Sequence, residues 1–260
     1  LKKKRKNINI NFPALLTIAF LLLLWQAASS WQLIPAFMLP APLQVVQAFI
    51  ADFSLLMFHS KVTLLEALLG LVIGVLAGVL SAILMDRFPI LEKALHPLLV
   101  LTQTVPTVAI APLLTVWFGF GMTPKIVLIV ITIFFPVTVS MLKGFRSVDP
   151  DEIKLLTSMG ANPLQMLWFL KLPASLNDFF AALKIAATYA VVGAVVSEWL
   201  GGFEGLGVYM TRVRKSYAFD KMFAVIFLIS IISLLLVTAI NFLEKIMMPW
   251  KEEKKLGGLK

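Results

Sequence analysis

At 260 residues, 60% of them hydrophobic and only 14% charged, with a mean hydropathy of +0.93, the chain is too apolar for a soluble domain of its size. It has no cysteine, which excludes a disulfide framework and a thiolate metal site. The net charge of +9 does not point to nucleic acid, because the basic residues gather at the ends of apolar runs rather than on one folded face.

A membrane-spanning helix needs about 20 mainly apolar residues. Six stretches qualify: residues 12–30, 61–85, 98–118, 124–142, 179–200 and 222–245. They predict an all-α integral membrane protein, one six-helix transmembrane domain over residues 1–260, in contact with lipid throughout. The first run follows Lys2, Lys3, Lys4, Arg5 and Lys6 and has the outline of a signal peptide. Its length, and the lack of a small-x-small site before Trp31, favour a retained helix. With the N-terminus inside, sixteen of the 23 lysines and arginines fall on the cytoplasmic side. They include the basic segment 1–11, Arg87, Lys143, Arg146, Lys154, Lys171 and the charged tail 246–260. The positive-inside rule therefore places both ends in the cytoplasm, and the tail reads as a solvated, lipid-touching end.

After the first span, residues 35–53 are too proline-broken at their start to cross the bilayer. Beyond Pro42 they carry Val45, Val46, Phe49, Ile50 and Phe53 on one side, which predicts an interfacial helix on the outer surface. In the second span Gly70, Gly74 and Gly78 form one strip that lets a neighbouring backbone come close. That strip reads equally as a packing groove or as part of a transport path. Glu66 lies early in the same span, and its short side chain is expected to line or brace a pathway. Pro106, Pro112 and Pro136 each remove a backbone donor and can bend the third and fourth spans.

The fourth and fifth spans are separated by a long polar break, residues 149–173, DPDEIKLLTSMGANPLQMLWFLKLP. Loops of that length usually have a function. Asp149 or Asp151 can cap a helix running to about Met159, with Asp151 and Glu152 at its positive end. Ile153, Leu155, Leu156 and Met159 give it an apolar side. Gly160 permits a turn, Asn162-Pro163 starts a second helix through Phe169, and Leu172-Pro173 ends the pair. Two readings fit: a knob that fills a partner's groove, or a loop tucked against the bundle.

Lys184 sits near the start of the fifth span, where snorkelling and burial explain it equally well. Glu198 closes that span. Residues 201–221 are glycine-rich and basic, so Arg212, Arg214 and Lys215 either meet an acidic partner outside or anchor the interface. His59 and His96 stand at the ends of different spans without metal-ligand spacing, and an interfacial position is expected for both. No G-x-x-x-x-G-K-[ST] loop, G-x-S-x-G elbow or H-E-x-x-H occurs. The chain is not expected to hydrolyse ATP, nor to hold a cofactor or metal.

Gly160-Ala161, the nine residues 162–170, Lys171 and Leu172-Pro173 resemble the second half of the EAA loop of bacterial ABC importer permeases. Lys154, Leu155 and Leu156 stand where that loop has Glu-Ala-Ala, while Asp151 and Glu152 keep acidic character in a different register. Further stretches agree in order: LPAPLQV at 39–45, Thr63-Leu64 before the glycine strip, VPTVAIAPLLTVWFGFG at 105–121, FFP at 134–136, Glu198-Trp199-Leu200-Gly201 and Gly205-Leu206-Gly207. The chain is most similar to the nitrate/sulfonate/taurine group, which also holds importers of the pyrimidine precursor of thiamine. Many sulfonate-type members carry Arg where this chain has Glu66, which favours the pyrimidine branch.

The resemblance implies a type I permease fold in a bacterial cell membrane, with coupling helices in the cytoplasm. It implies a second permease copy, an ATPase subunit docked on the 149–173 loop, and a binding protein delivering solute from outside. ATP-driven closure would move the loop around Gly160 and rock the spans between outward- and inward-open states. Glu66, Thr104, Thr107 and Ser197 are the pathway candidates, being polar residues inside or beside apolar spans. The alternative is an ion-coupled transporter or channel that uses Glu66, Lys184 and Glu198.

Overall fold

A computed structural model describes residues 12–31, 35 and 38–250, and every regular element among them is helical. The basic segment 2–6 and the tail 251–260 lie outside the described residues. The chain opens with α1 (Phe12–Ser30), α2 (Pro42–Ala51), α3 (Phe53–Arg87) and α4 (Pro89–Thr104). It continues through α5 (Thr107–Phe118), α6 (Met122–Arg146), α7 (Pro150–Ser158) and α8 (Pro163–Met166). A π-turn (Leu167–Lys171) leads into α9 (Leu172–Gly201), followed by α10 (Leu206–Lys215) and α11 (Phe219–Met247).

Among the described residues four helical stretches are long and apolar enough to cross a membrane: α3, α6, the run from α8 through α9, and α11. The pair α4–α5 makes a fifth if it is counted as one span, and α1 adds an apolar helix of 19 residues. At 1.5 Å per residue the 35 residues of α3 extend about 52 Å, well beyond the ~30 Å hydrocarbon layer.

The expected continuous span over 98–118 is broken. α4 and α5 meet at 101°. The cause is local: Pro106 has no N–H to give, and it forces Val105 into an extended conformation (φ −84°, ψ 122°). Pro112 and Pro136 lie inside α5 and α6 without dividing them. A second difference lies at Leu172-Pro173, expected to stop the knob before the fifth span. The helix instead runs on, because the wide turn at Leu167–Lys171 opens the hydrogen-bond ladder where Pro173 would collide with the carbonyl of Phe169.

The core lies around α6, which packs between α3 and α9. Ile129, Ile133, Val137 and Met141 of α6 meet Ala186, Ala187, Ala190 and Ala194 of α9. On the other side they fill the strip formed by Gly70, Gly74 and Gly78. A Cβ on Gly70 or Gly74 would stand 2.5 Å from Ile129 or Ile133, and one on Gly78 2.8 Å from Val137. Small residues on both flanks thus bring three helices together, which is the usual packing device where lipid competes with side-chain contact.

α2 lies across α11 and buries Val45 and Ala48. Val46, Ile50 and Phe53 remain exposed, so the apolar side expected of this segment is divided between protein and surroundings. Trp25 of α1 stacks on Phe227 of α11 at 5.8 Å and donates its indole N–H to the Pro40 carbonyl at 3.0 Å.

Candidate coupling knob and buried polar cluster

At one end of the bundle α7 and α8 project as a helix–turn–helix knob in which no residue is buried. Each turn of it follows from local chemistry. Asp149 caps α7 by accepting the Asp151 N–H at 2.9 Å, Pro150 sets the first-turn geometry, and Asp151 and Glu152 face the positive end of the helix. Lys154 reaches back to Asp151 at 2.9 Å, an exposed pair that adds little stability.

Gly160 closes α7 with φ +81°. The Gly160 N–H bonds the Thr157 carbonyl and the Ala161 N–H bonds the Leu156 carbonyl, both at 3.0 Å, which together form a Schellman cap. Asn162 and Gln165 then build a reciprocal capping box for α8, each side chain accepting the other's backbone N–H at 2.8 Å. The knob leaves Leu155, Met159 and Leu164 exposed by 61%, 73% and 66%. Ile153, Leu156 and Ala161 are half-buried, and Leu172 and Pro173 belong to the first turn of α9.

Toward the opposite end, α3, α6, α9 and α10 enclose a polar cluster. His59, Thr63 and Glu66 recur at helical spacing on α3 and are all buried. Thr63 donates to Glu198 Oε1 at 2.7 Å, and Lys125 Nζ sits 2.6 Å from Glu66 Oε1. The backbone N–H groups of Gly205, Leu206 and Gly207 donate to His59 Nδ1, Thr63 Oγ1 and Glu198 Oε2 at 3.0, 2.8 and 2.6 Å. Because His59 Nδ1 accepts a hydrogen bond, its ring proton sits on Nε2.

Two sequence expectations change here. His59 is buried rather than interfacial, whereas His96 is exposed. Lys125, one of the basic residues that the positive-inside assignment leaves on the outer side, is buried as the partner of Glu66. Neither change was signalled locally. The one hint was that Thr63, Glu198 and Gly205–Gly207 all fall within motifs shared with the permeases.

The remaining candidates separate. Ser197 is buried and donates to the Ala194 carbonyl at 2.8 Å. Thr104 and Thr107 flank the α4–α5 break, exposed and half-buried respectively. Lys184 pairs with Glu244 of α11 at 2.5 Å, both side chains largely shielded. Among the described residues no group of His, Cys, Asp and Glu has a metal-binding arrangement.

Beside α10, Tyr209 donates its hydroxyl to Asp52 Oδ2 at 2.5 Å and Lys221 Nζ lies 2.8 Å from the same oxygen. The Lys221 and Tyr209 hydrogen bonds hold the Asp52 carboxyl below its ordinary value near 3.8. Burial, reinforced by the bond to Asp52, pushes the Tyr209 phenol above its ordinary 10.

A bundle of apolar helices with one broken span and an exposed apolar knob fits a membrane transport subunit. The chain belongs to the family described as binding-protein-dependent transport system inner membrane component, whose profile matches residues 70–252. It is 40% identical over 229 residues to a probable ABC transporter permease protein of Haemophilus influenzae, spanning 88% of this chain and 94% of that one. It is 36% identical over 241 residues to the formylaminopyrimidine transport permease protein of Halalkalibacterium halodurans, spanning 92% and 96%. A chain from the crystal structure of an amino acid ABC transporter with histidines superposes with a TM-score of 0.65 at 16% identity, covering 76% of this chain and 97% of that chain. That likeness supports the fold.

The protein is therefore the membrane-spanning permease subunit of a binding-protein-dependent ABC importer. It is not the catalytic subunit: ATP hydrolysis belongs to a separate ATPase, and a solute-binding protein is the other partner. Family membership selects this reading over an ion-coupled transporter or channel.

Proposed function

We propose that this permease works as a homodimer whose α7–α8 knob, residues 149–173, docks into the ATPase subunit in the cytoplasm. The observation that carries the reading is the exposure of Leu155, Met159 and Leu164 on a well-capped pair of helices beyond the ends of the spans. Apolar side chains displayed on a rigid mount outside the bilayer suit a partner's groove. Asp151, Glu152 and Lys154 border that surface, Leu156 and Ala161 support the turn, and Leu172 and Pro173 join it to α9.

In this arrangement α1 and the bent α4–α5 pair complete six spans in a single domain. Both chain ends lie in the cytoplasm, and α2 and α10 face the binding protein outside. Arg214 and Lys215 on α10 offer cationic contacts to an acidic rim on that protein. The basic-residue distribution supports this orientation.

The solute passes between the two permease copies. The break between Thr104 and Thr107 supports those residues as pathway contacts, because unwound backbone at membrane depth is tolerated where it lines a water-filled cavity. The burial of Glu66 and Ser197 supports a bracing role behind the wall. For the solute we favour a pyrimidine precursor of the formylaminopyrimidine kind over sulfonates, supported by the Halalkalibacterium relative and by Glu66.

Capture of the tagged chain from its native membrane tests the docking. Wild type retains the ATPase, and Gly160→Arg loses it while still reaching the membrane. ATP-driven uptake by that variant at the wild-type rate overturns the reading. Uptake by the reconstituted importer with formylaminopyrimidine and taurine in competition decides the solute.

A further inference from the structure

One polar link joins the loop to a span that does not adjoin it in sequence. Lys171, the last residue of the π-turn, places Nζ 2.8 Å and 2.7 Å from the two carboxylate oxygens of Asp86, near the end of α3. The side chains are only 20% and 18% exposed. The Lys184–Glu244 pair is as close and as shielded but joins α9 to α11, and the neighbouring pairs of α6 are looser or wetter. Lys143 and Asp178 stand 3.5 Å apart with the lysine largely in solvent, and the arginine of the Arg146–Glu92 pair is likewise exposed. Exposed, screened pairs hold position weakly. A shielded ammonium engaging both oxygens of a carboxylate holds it far better.

Around this link the loop stands off from α3. A cleft of about 380 Å³ lies between Ile83, Asp86 and Arg87 on α3 and Pro163, Leu164 and Leu167 on the loop side. Neither α7 nor α8 buries a residue. The knob is therefore mounted by its covalent continuity with α6 and α9, by partial packing of Leu167 and Leu172 on the core, and by the Lys171–Asp86 pair. The covalent connections act on α6 and α9. The ion pair is the direct polar route into α3, the helix bearing the glycine strip and the polar cluster.

We infer that Asp86 and Lys171 form a strut that carries displacement of the knob to α3, so that α3 moves with α6 and α9 when the ATPase closes. The inference rests on the docking proposed above. Both are positioning residues, and neither is assigned a contact with solute or nucleotide. The π-turn matters to the strut because it is where the helix makes room for Pro173 while delivering Lys171 to the end of α3.

The test uses the complete importer, with permease, ATPase and binding protein reconstituted in lipid vesicles. Asp86→Ala, the near-isosteric Asp86→Asn and the reversed pair Asp86→Lys/Lys171→Asp are compared with wild type. Four readouts are taken: ATPase retention, basal hydrolysis, stimulation of hydrolysis by loaded binding protein, and uptake. In both single variants retention and basal hydrolysis stay at the wild-type level, while stimulation and uptake fall about tenfold. The reversed pair regains most of both.

Wild-type stimulation and uptake in Asp86→Ala overturn the strut. So does failure of the reversed pair to recover, and so does loss of the ATPase from the single variants, which would make the pair part of the docking surface. A Met159→Cys probe in the otherwise wild-type complex separates the two ideas. If it forms no cross-link to the ATPase, the docking reading falls and the strut with it. If it cross-links while Asp86→Ala remains fully coupled, only the strut falls.

Discussion

Thr63 and Glu198 lie 135 residues apart in the chain and 2.7 Å apart in the fold. Their bond is the centre of a capping arrangement made in trans. The first N–H groups of any helix have no partner within it, and for α10 those groups are met by Thr63 and His59 from α3 and by Glu198 from α9. The Glu198 carboxylate also lies at the positive end of the α10 dipole. Gly205 takes φ +118° to make the approach, and a Cβ there would overlap the carboxylate itself. The connection from α9 to α10 is thereby fastened to α3.

Removing that carboxylate has a defined cost. Glu198→Ala leaves the Gly207 N–H buried without its acceptor, at about 1–3 kcal/mol, while the Thr63 hydroxyl falls back on the longer bond to the His59 carbonyl at 3.2 Å. Glu198→Gln keeps one acceptor but turns an amide toward the other donor, so its loss lies between alanine and wild type. Thermal unfolding of the purified permease in detergent should give that order. Equal loss in both variants would show that shape, not hydrogen bonding, is what Glu198 supplies.

The Glu66–Lys125 pair is buried on both sides, and it should behave non-additively. Lys125→Met strands a carboxylate among apolar helices and should cost about 3–5 kcal/mol. Glu66→Leu/Lys125→Met removes both charges and should recover most of that loss, since the pair's attraction largely offsets its own desolvation. A double-mutant cycle by thermal unfolding checks it. Additive losses would mean the two side chains are not coupled as the 2.6 Å contact requires.

The Asp52–Tyr209–Lys221 contact is pH-limited at both ends. The Asp52 pKa is lowered, so its contribution is present above about 3.8 and is lost as pH falls through the depressed value. The Tyr209 pKa is raised, so its contribution is present below about 10 and is lost as pH rises through the elevated value. Difference absorbance between wild type and Tyr209→Phe should therefore show no tyrosinate signal up to pH 10. A tyrosinate difference well below that pH would show that the phenol is neither buried nor bonded to Asp52.

Local signals made the knob legible. Asp149-Pro150, Gly160 and the Asn162–Gln165 box are cap chemistry confined to a few residues, and α7 begins and ends, and α8 begins, where those residues allow; the expected end of α8 at Phe169 is replaced by the π-turn after Met166. The polar cluster was not legible in the same way. Lys125 and His59 stand near the ends of apolar runs, where contact with headgroups explains them as well as burial does, and no neighbour in sequence announces Glu66 or Gly205 as a partner. Pro106 marked a bend, but its 101° angle depends on how α5 packs against α6 and α9. At Leu172-Pro173 the expected stop assumed an α-helical ladder, and a π-turn removes the collision on which that expectation rested.

The glycine strip suggests a further comparison, with a glycine that periodicity did not single out. A Cβ on Gly144 would meet the Ser175 Cα at 2.8 Å, a backbone atom that cannot turn aside. At Gly74 the nearest atoms belong to the Ile133 side chain, and backbone is first met at 3.3 Å. Gly144→Ala should therefore part α6 from α9 and destabilise by about 1–3 kcal/mol, more than Gly74→Ala, where a rotamer change absorbs part of the strain. Thermal unfolding of the two variants side by side decides the order.

Gly160 distinguishes a docking surface from a mere turn. Its φ of +81° costs any ordinary L-residue about 1–2 kcal/mol, while nothing lies within 4 Å of the position a Cβ would take. Alanine and arginine therefore carry the same backbone penalty and meet no obstruction within the chain. Asparagine, which tolerates the left-handed region, carries less. If the turn serves only the fold, Gly160→Ala and Gly160→Arg should retain the ATPase equally. If the turn faces the partner, Gly160→Ala and Gly160→Asn should retain much of it, and Gly160→Arg should reduce it about tenfold or more, because its bulk and charge enter the interface. Co-purification of the three variants, each matched for membrane level, measures the difference. Equal retention by alanine and arginine would place the partner elsewhere.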